Sequence, residues 1–536
     1  MQSILESGIL VLYFVSLLIL FVFGSHGYVM VYLYNKYRGR AGKAPLPLRD
    51  FPKVTVQLPV FNEIYVIERL VRAVCEMDYP RQLLEIQVLD DSTDETSRLA
   101  QSRVEHYQQQ GFQIKLLHRD HREGYKAGAL REGLAAATGE FVAIFDADFV
   151  PPQNFLKKTL PHFQDPKIGV VQTRWGHLNF NYSVLTRAQA IGLDGHFVVE
   201  QTARNRAGYF INFNGTAGVW RRECILDAGN WSDDTLTEDL DLSYRAQLRG
   251  WKFVFLPDTI CHAELPAEIG GVKAQQFRWT KGAIETAKKI LPRLWRSPLP
   301  LRVKLQSTVH LTNNLVFPFI LIVGLLNLPI VLIKNQIGAK HTLYFTVISV
   351  FTLAFFGSFW MYLTAQRKGY DNWFRRILYF PIFMAGSLGL SVNNTRAILQ
   401  GLFNHRSEFL RTPKYHLESS QDRFGGKKYF NAREQRRRGT STGLIEGLLT
   451  IYCLLGIVIA IRYDDLAALP FQILYSFGYG FIAYMSLKHY LWLRVTSAFL
   501  NESAPGFHFS NQIIVVGSRN ISMPESSSAE TPTPGG

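Results

Sequence analysis

Long stretches without a charged side chain limit this chain more than any other feature. From Gly8 to Tyr34 there is no Asp, Glu, Lys or Arg, and a helix of that length crosses a hydrocarbon core of roughly 30 Å. Met1 to Gly8 has no basic residue and no small-residue cleavage site follows, so the stretch reads as an anchor and not as a signal peptide. Further uncharged spans run from Leu311 to Ile333 and from Thr342 to Ala365. Two more cover Gly443 to Ile461 and Leu466 to Leu487, and Glu446 is the one acid in the four. The run Ile377 to Val392 is shorter, contains Pro381, Gly386 and Gly389 and has basic flanks, which suits an interfacial or re-entrant segment. Five spans are therefore expected.

Basic residues fall on one side of this pattern. Lys36, Arg38, Arg40 and Lys43 follow the first span, Arg367, Lys368, Arg375 and Arg376 follow the third, and ten Lys or Arg lie between Gly401 and Thr442. The positive-inside rule places these segments in the cytoplasm, together with residues 35 to about 305. A net charge of +15 fits a face pressed against anionic lipid. It collects beside the spans and not in one soluble patch, so no nucleic-acid partner is expected. Cys75, Cys224, Cys261 and Cys453 have neither metal-ligand nor disulfide-framework spacing and read as reduced, buried thiols. The tail from Asn501 is rich in Ser, Pro, Thr and Gly, a disorder signature.

Between Phe51 and Pro151 apolar runs alternate with helical patterns. Val54 to Pro59, Ile86 to Leu89 and Phe141 to Phe145 read as strands, with helices over Glu63 to Met77 and Thr93 to Gln109. Such alternation argues a parallel sheet with crossover helices, whose ligands sit at the carboxyl ends of the strands. Acidic motifs fall at those ends: Phe61-Asn62-Glu63, Asp90-Asp91-Ser92 and Asp146-Ala147-Asp148. In an extended chain residues two apart point the same way, so Asp146 and Asp148 can address one hard cation shared with substrate phosphates. Such an ion would neutralise a leaving diphosphate. Asp90-Asp91 also reads as a helix cap. Thr237-Glu238-Asp239 precedes a helix, where acids compensate its dipole or supply a base for an acceptor hydroxyl. Gln275-Gln276-Phe277-Arg278-Trp279 lies on a basic amphipathic stretch that suits a membrane surface, where Arg can meet a diphosphate and Trp can stack on a sugar.

As an ordered set, with spans on both sides, these motifs resemble the processive glycosyltransferases of family 2, which include cellulose, hyaluronan and mannan synthases. The resemblance covers residues 50 to 415. It is strongest to the cellulose-synthase-like A and C types through Phe213-Asn214-Gly215-Thr216-Ala217-Gly218-Val219-Trp220-Arg221, Glu238 to Leu242, Glu264-Leu265-Pro266 and Ser407 to Tyr415. It implies a GT-A-like α/β domain with a mostly parallel sheet that takes a nucleotide sugar, GDP-mannose or UDP-glucose, and an all-α transmembrane channel domain. Asp239, with Glu238 beside it, would be the catalytic base. Glu63, Asp90, Asp91, Lys126, Asp146, Gln275 and Arg278 would bind the substrate, Trp279 would support the acceptor, and Asp146 and Asp148 would hold the metal, Mg²⁺ or Mn²⁺. Thr412 and Lys414 resemble a gating loop, although Arg411 stands where that pattern has Val. Trp175, Phe213, Asn214 and Trp220 would meet the growing polysaccharide, although for each aromatic burial in the core is the safer reading of the residue alone, and Asn313, Asn314 and Glu446 would line the channel.

The expected organisation is an anchor at 1–35, a cytosolic transferase domain at 36–270, interface helices at 271–305, two spans in 306–366, an interfacial segment with the gating-like loop at 367–442, two spans in 443–490 and a tail at 491–536. The expected activity is inverting, processive synthesis of a β-linked hexose polymer and its export by a multi-pass protein. The setting would be a bacterial inner membrane, or a Golgi or plasma membrane. Transfer of one sugar to a lipid acceptor such as ceramide or polyprenyl phosphate is the alternative, and a scaffold with an inactive transferase domain a third.

Overall fold

The computed structural model describes residues 2–40, 45–337, 342–405, 407, 411–419, 421–422, 427 and 432–502. Residues 408–410 of the gating-like segment and the tail beyond 502 lie outside them. Two units divide the chain, Met1–His489 and Tyr490–Gly536. The described part of the second is the end of the helix Leu469–Glu502.

Among the described residues eight strands form one sheet: β1 (Val54–Val60), β2 (Leu84–Asp90), β3 (Gln113–His118), β4 (Phe141–Ile144), β5 (Phe149–Val150), β6 (Ile168–His177), β7 (Gly218–Arg221) and β8 (Lys252–Ala263), in the order β3-β2-β1-β4-β7-β6-β8-β5. The first four neighbours are parallel, as the alternation up to Pro151 implies. Beyond them β7 runs antiparallel to both β4 and β6, β6 and β8 are parallel, and β5 is antiparallel to β8. The sheet is therefore mixed where a mostly parallel one was expected, because after Pro151 the chain leaves the strand-helix alternation and β7 enters from the opposite end.

Every residue of β1 and β2 is buried, since helices and loops cover both faces of a parallel sheet. Polar residues are tolerated there because they pair along the register: Thr55 Oγ1 donates to Glu85 Oε2 at 2.7 Å and Gln57 Nε2 to Gln87 Oε1 at 3.0 Å. Val56, Leu58, Leu70 and Phe145 belong to one core cluster, while Leu130, Ile144, Phe213 and Trp220 belong to another. All four cysteines are free and buried.

Among the described residues four helical stretches are long and apolar enough to cross a membrane: Ile4–Tyr37, Leu301–Gln336, Thr342–Gly369 and Thr442–Arg462. The helices Trp373–Gly389 and Ser391–Leu402, bent by 46° where they meet, form a broken span or a re-entrant loop, which is where the irregular segment was expected. The fifth expected span falls on the helix Leu469–Glu502, which is not among the four. The first span packs tightly on the third. A Cβ added at Gly24 would lie 2.8 Å from Ala354 Cβ, and one at Gly27 would lie 2.5 Å from the Gly357 carbonyl, the close approach that small residues permit between apolar helices.

Glu446 does not line a channel. It is fully buried, and Lys273 Nζ donates to its Oε2 at 2.7 Å, to Thr442 Oγ1 at 3.0 Å and to Ser486 Oγ at 2.9 Å. A carboxylate this deep is retained by its charge partner. Asn313 and Asn314 sit in a short 3₁₀ turn between two helices.

Candidate active site

The ends of β1 and β2 are laced together. Asn62, at a positive φ of 54°, takes its backbone N–H to Ser92 Oγ at 2.8 Å and accepts from the Thr93 N–H at 2.8 Å. This ties the first two motifs and turns neighbouring acids in opposite directions. Asp91 lines the cleft and receives two 2.7 Å hydrogen bonds from Arg119. Asp90 is fully buried, receives Ser97 Oγ at 2.6 Å and the Ser92 N–H at 3.0 Å, and pairs with His118 Nδ1 at 2.7 Å. It does not line the cleft, so its substrate-binding assignment gives way to a structural one: three hydrogen bonds tie it into the fold.

Lys126 is the hub of the cleft. Gly124 and Tyr125 adopt left-handed conformations, φ 67° and 50°, and start the helix Tyr125–Ala135 so that Lys126 Nζ donates to Asp146 Oδ1 at 2.6 Å and to the Gly215 carbonyl at 2.9 Å. Glu238 Oε1 is 3.8 Å away. Burial lowers the Lys126 pKa, but Asp146 and Glu238 more than offset it and leave it raised. Asp239 begins the helix Glu238–Leu248. Burial, and then the Glu238 carboxylate, push the Asp239 carboxyl up to about 7, with Lys126 opposing. An acid held near neutral pH can take a proton and release it. A Cβ on Gly215 (φ 79°) would lie 3.1 Å from Asp239 Oδ2, so glycine lets the chain pass close to that carboxylate.

The helix Ile269–Arg296 contributes Gln275, Arg278 and Trp279 to the same cleft. Burial lowers the Arg278 pKa, opposed chiefly by Glu238 and Asp146. The segment 411–418 straps across. Arg411 pairs with Glu63, which is fully buried, and Lys414 Nζ donates to Asp148 Oδ2 at 2.6 Å and to the Glu264 carbonyl at 2.8 Å. Glu264 accepts the backbone N–H of Tyr415 at 2.7 Å and of Leu417 at 3.2 Å, and Arg69 holds Glu418 at 2.9 Å. Thr412 is buried and lines the cleft.

Glu63, Asp91, Lys126, Asp146, Asp148, Trp175, Asn214, Glu238, Asp239, Gln275, Arg278, Trp279, Thr412 and Lys414 thus share one cleft of about 150 Å³. Phe213 and Trp220 do not line it. Both are fully buried, with ring centroids 5.4 Å apart, so they are core packing and not a sugar-stacking entrance. Phe61, Arg122, His177, Glu264 and Arg411 line the cleft and were not singled out as site residues from sequence. His177 had a signal, since it stands two residues after Trp175 on one strand, and Glu264 had one in the Glu264-Leu265-Pro266 motif; Arg122 had none.

Seven carboxylates and five Lys or Arg side chains face the cleft, an excess that a divalent cation would balance. Among the described residues no group of three or more His, Cys, Asp or Glu could hold an ion alone. Asp146 and Asp148, paired with different lysines, suit instead an ion completed by substrate phosphates, the usual mode for Mg²⁺.

A mixed sheet of this order, with acids gathered at its strand ends and apolar helices following it, defines a GT-A-like glycosyltransferase fold. Residues 52–282 match the family described as Glycosyltransferase like family 2. The chain is 44% identical over 246 residues to the probable glucomannan 4-beta-mannosyltransferase 7 of Oryza sativa subsp. japonica, covering 45% of this chain and 42% of the relative. It is 43% identical over 263 residues to glucomannan 4-beta-mannosyltransferase 1 of Cyamopsis tetragonoloba, covering 48% and 50%. It therefore spans about half the length of the curated relatives it matches. Among solved structures, a mannosyltransferase from Pyrobaculum calidifontis in complex with GDP-Man and Mn²⁺ superposes with a TM-score of 0.51 at 19% identity, over 73% of this chain and 100% of that one, a likeness of fold.

Proposed function

We propose that this chain is an inverting, processive hexosyltransferase that builds a β-linked mannan or glucomannan from GDP-mannose at the cytosolic face of a membrane and passes the product between its apolar helices. One observation carries the reading: motifs from residue 63 to residue 414 meet in a cleft where Asp239, raised towards neutral pH, stands by Lys126 and Arg278. GDP-mannose is preferred to UDP-glucose because the matched relatives are named mannosyltransferases.

In this mechanism Asp239 takes the proton from the acceptor hydroxyl as that oxygen attacks the anomeric carbon. The bond from that carbon to the phosphate oxygen breaks on the opposite face, and the nucleoside diphosphate leaves with its electron pair. Lys126 and Arg278 stabilise the charge that develops on the diphosphate. Trp279 offers a flat face to the acceptor sugar, and the strap carrying Arg411, Thr412 and Lys414 excludes water. Mg²⁺ or Mn²⁺ held by Asp146 and Asp148 would supply further neutralisation of the diphosphate.

The purified protein in nanodiscs is incubated with GDP-mannose or UDP-glucose and either cation, and the product is digested with β-mannanase. A high-mass, mannanase-sensitive polymer that is lost with EDTA is the expected result. A single-sugar lipid product would replace the polymer reading with the lipid-acceptor one. Absence of turnover with both donors would overturn the assignment as a transferase.

A further inference from the structure

The charged groups of the cleft account for a nucleoside diphosphate, but an uncharged sugar ring needs neutral donors, acceptors and an aromatic face. One part of the wall provides them. Trp175 and His177 stand two apart on β6, so their side chains leave the same face of the strand, and both line the cleft with Asn214. Trp175 Nε1 is buried and makes no hydrogen bond among the described residues, a costly state for a donor unless a ligand supplies the acceptor.

Three residues of one short stretch back this wall. Asp194 Oδ1 lies 3.0 Å from His177 Nε2, His196 Nε2 lies 3.0 Å from Asn214 Oδ1, and the ring of Phe197 lies 5.0 Å from that of Trp175. The stretch is where the helix Val184–Asp194 passes into a π-helical turn, Gly195–Gln201, a rare geometry that concentrates at functional sites. Asp194 is itself held from behind by Gln366 Nε2 at 3.0 Å, Tyr370 Oη at 2.6 Å and Arg376 Nη2 at 2.8 Å. Burial raises its pKa, but His177 and Arg376 more than offset this and hold the carboxyl well below the usual range. An ionised Asp194 accepts the Nε2–H of His177 and so leaves Nδ1, which has no partner among the described residues, as the ring's remaining polar atom.

We infer that Trp175, His177 and Asn214 form a binding wall for an uncharged hexose ring, with Asp194 and His196 as positioning residues. The inference rests on the hexosyl-transfer reading above. The ring belongs either to the acceptor end of the glycan or to the sugar of the donor, which share this chemistry.

Two substitutions separate sugar contact from structural support. His177→Asn keeps a polar atom where Nδ1 stands and loses the link to Asp194, whereas His177→Gln keeps that link and loses Nδ1. With the full chain in nanodiscs, GDP-mannose and β-1,4-mannotetraose, the Gln variant is expected to raise a half-saturating concentration about ten-fold. The Asn variant, which loses only the positioning link, is expected to raise it less, by about three-fold, and GDP affinity is expected to stay within about two-fold of wild type in both, by the same hydrogen-bond scale. A rise for mannotetraose assigns the ring to the acceptor, and a rise for GDP-mannose without one for GDP assigns it to the donor. The reverse order of the two variants, wild-type behaviour in both, or a parallel loss of GDP affinity would overturn the inference. If neither variant gives a monodisperse protein, Trp175→Phe, which keeps a ring and removes Nε1–H, decides: unchanged sugar affinity counts against the wall. Wild-type protein inactive with both donors counts against the transfer reading alone, and quenching of tryptophan fluorescence by mannotetraose still reads the wall without turnover.

Discussion

Replacing Asp239 with Asn tests the base and its environment together. The Asp239 carboxyl moves from an ordinary value of 3.8 to about 7 in the fold, close to three pH units, which corresponds to about 4 kcal/mol between its two protonation states. Because the folded state holds this proton more tightly than the unfolded chain does, this group's contribution to stability is fully present below pH 3.8 and is lost as pH rises through about 7. Asn carries no such proton, so the variant should gain on wild type across that window, by up to about 4 kcal/mol at pH 8. Catalysis moves the other way. Transfer by wild type should rise with pH through about 7 as the base ionises, and Asn should lower it by roughly 10²- to 10⁴-fold at any pH. Radiolabelled mannose incorporation from pH 5 to 9 and thermal melting of both proteins at pH 5 and pH 8 measure the two effects. A flat pH–rate profile, or a variant less stable than wild type at pH 8, would refute the idea of a buried base held near neutrality.

Lys126→Met removes the cation that opposes the rise of the Asp239 pKa. The acidic limb of the pH–rate profile should therefore move to higher pH, with a larger half-saturating GDP-mannose concentration, in the same incorporation assay. Glu446→Gln leaves Lys273 charged in a buried setting and should cost about 3–5 kcal/mol; Lys273→Met with Glu446→Leu should recover much of it, read by melting temperature in detergent. Trp220→Ala should destabilise the protein by about 3–5 kcal/mol while leaving mannotetraose affinity of the folded fraction unchanged, since Trp220 is core.

Sequence alone made part of the sheet and its acidic motifs legible. Strands β1, β2 and β4, the acids at their ends and the long apolar helices were legible because periodicity, composition and motif order are local properties. Tertiary structure decided which of those side chains work together. Asp90 and Asp91 are neighbours in the chain, yet one faces Ser97 and His118 and the other faces the cleft, because Asp90 closes β2 and Asp91 lies just beyond it. Phe213 and Trp220 read like any aromatic near a sugar site, and only the sheet packing shows that they are sealed in the core. Glu446 read as a pore residue because its partner, Lys273, lies 173 residues away. Arg411, a departure from the expected loop pattern, found its reason in Glu63 on the far side of the domain. Burial and partnership are fixed by contacts between distant segments, and no window along the chain contains them.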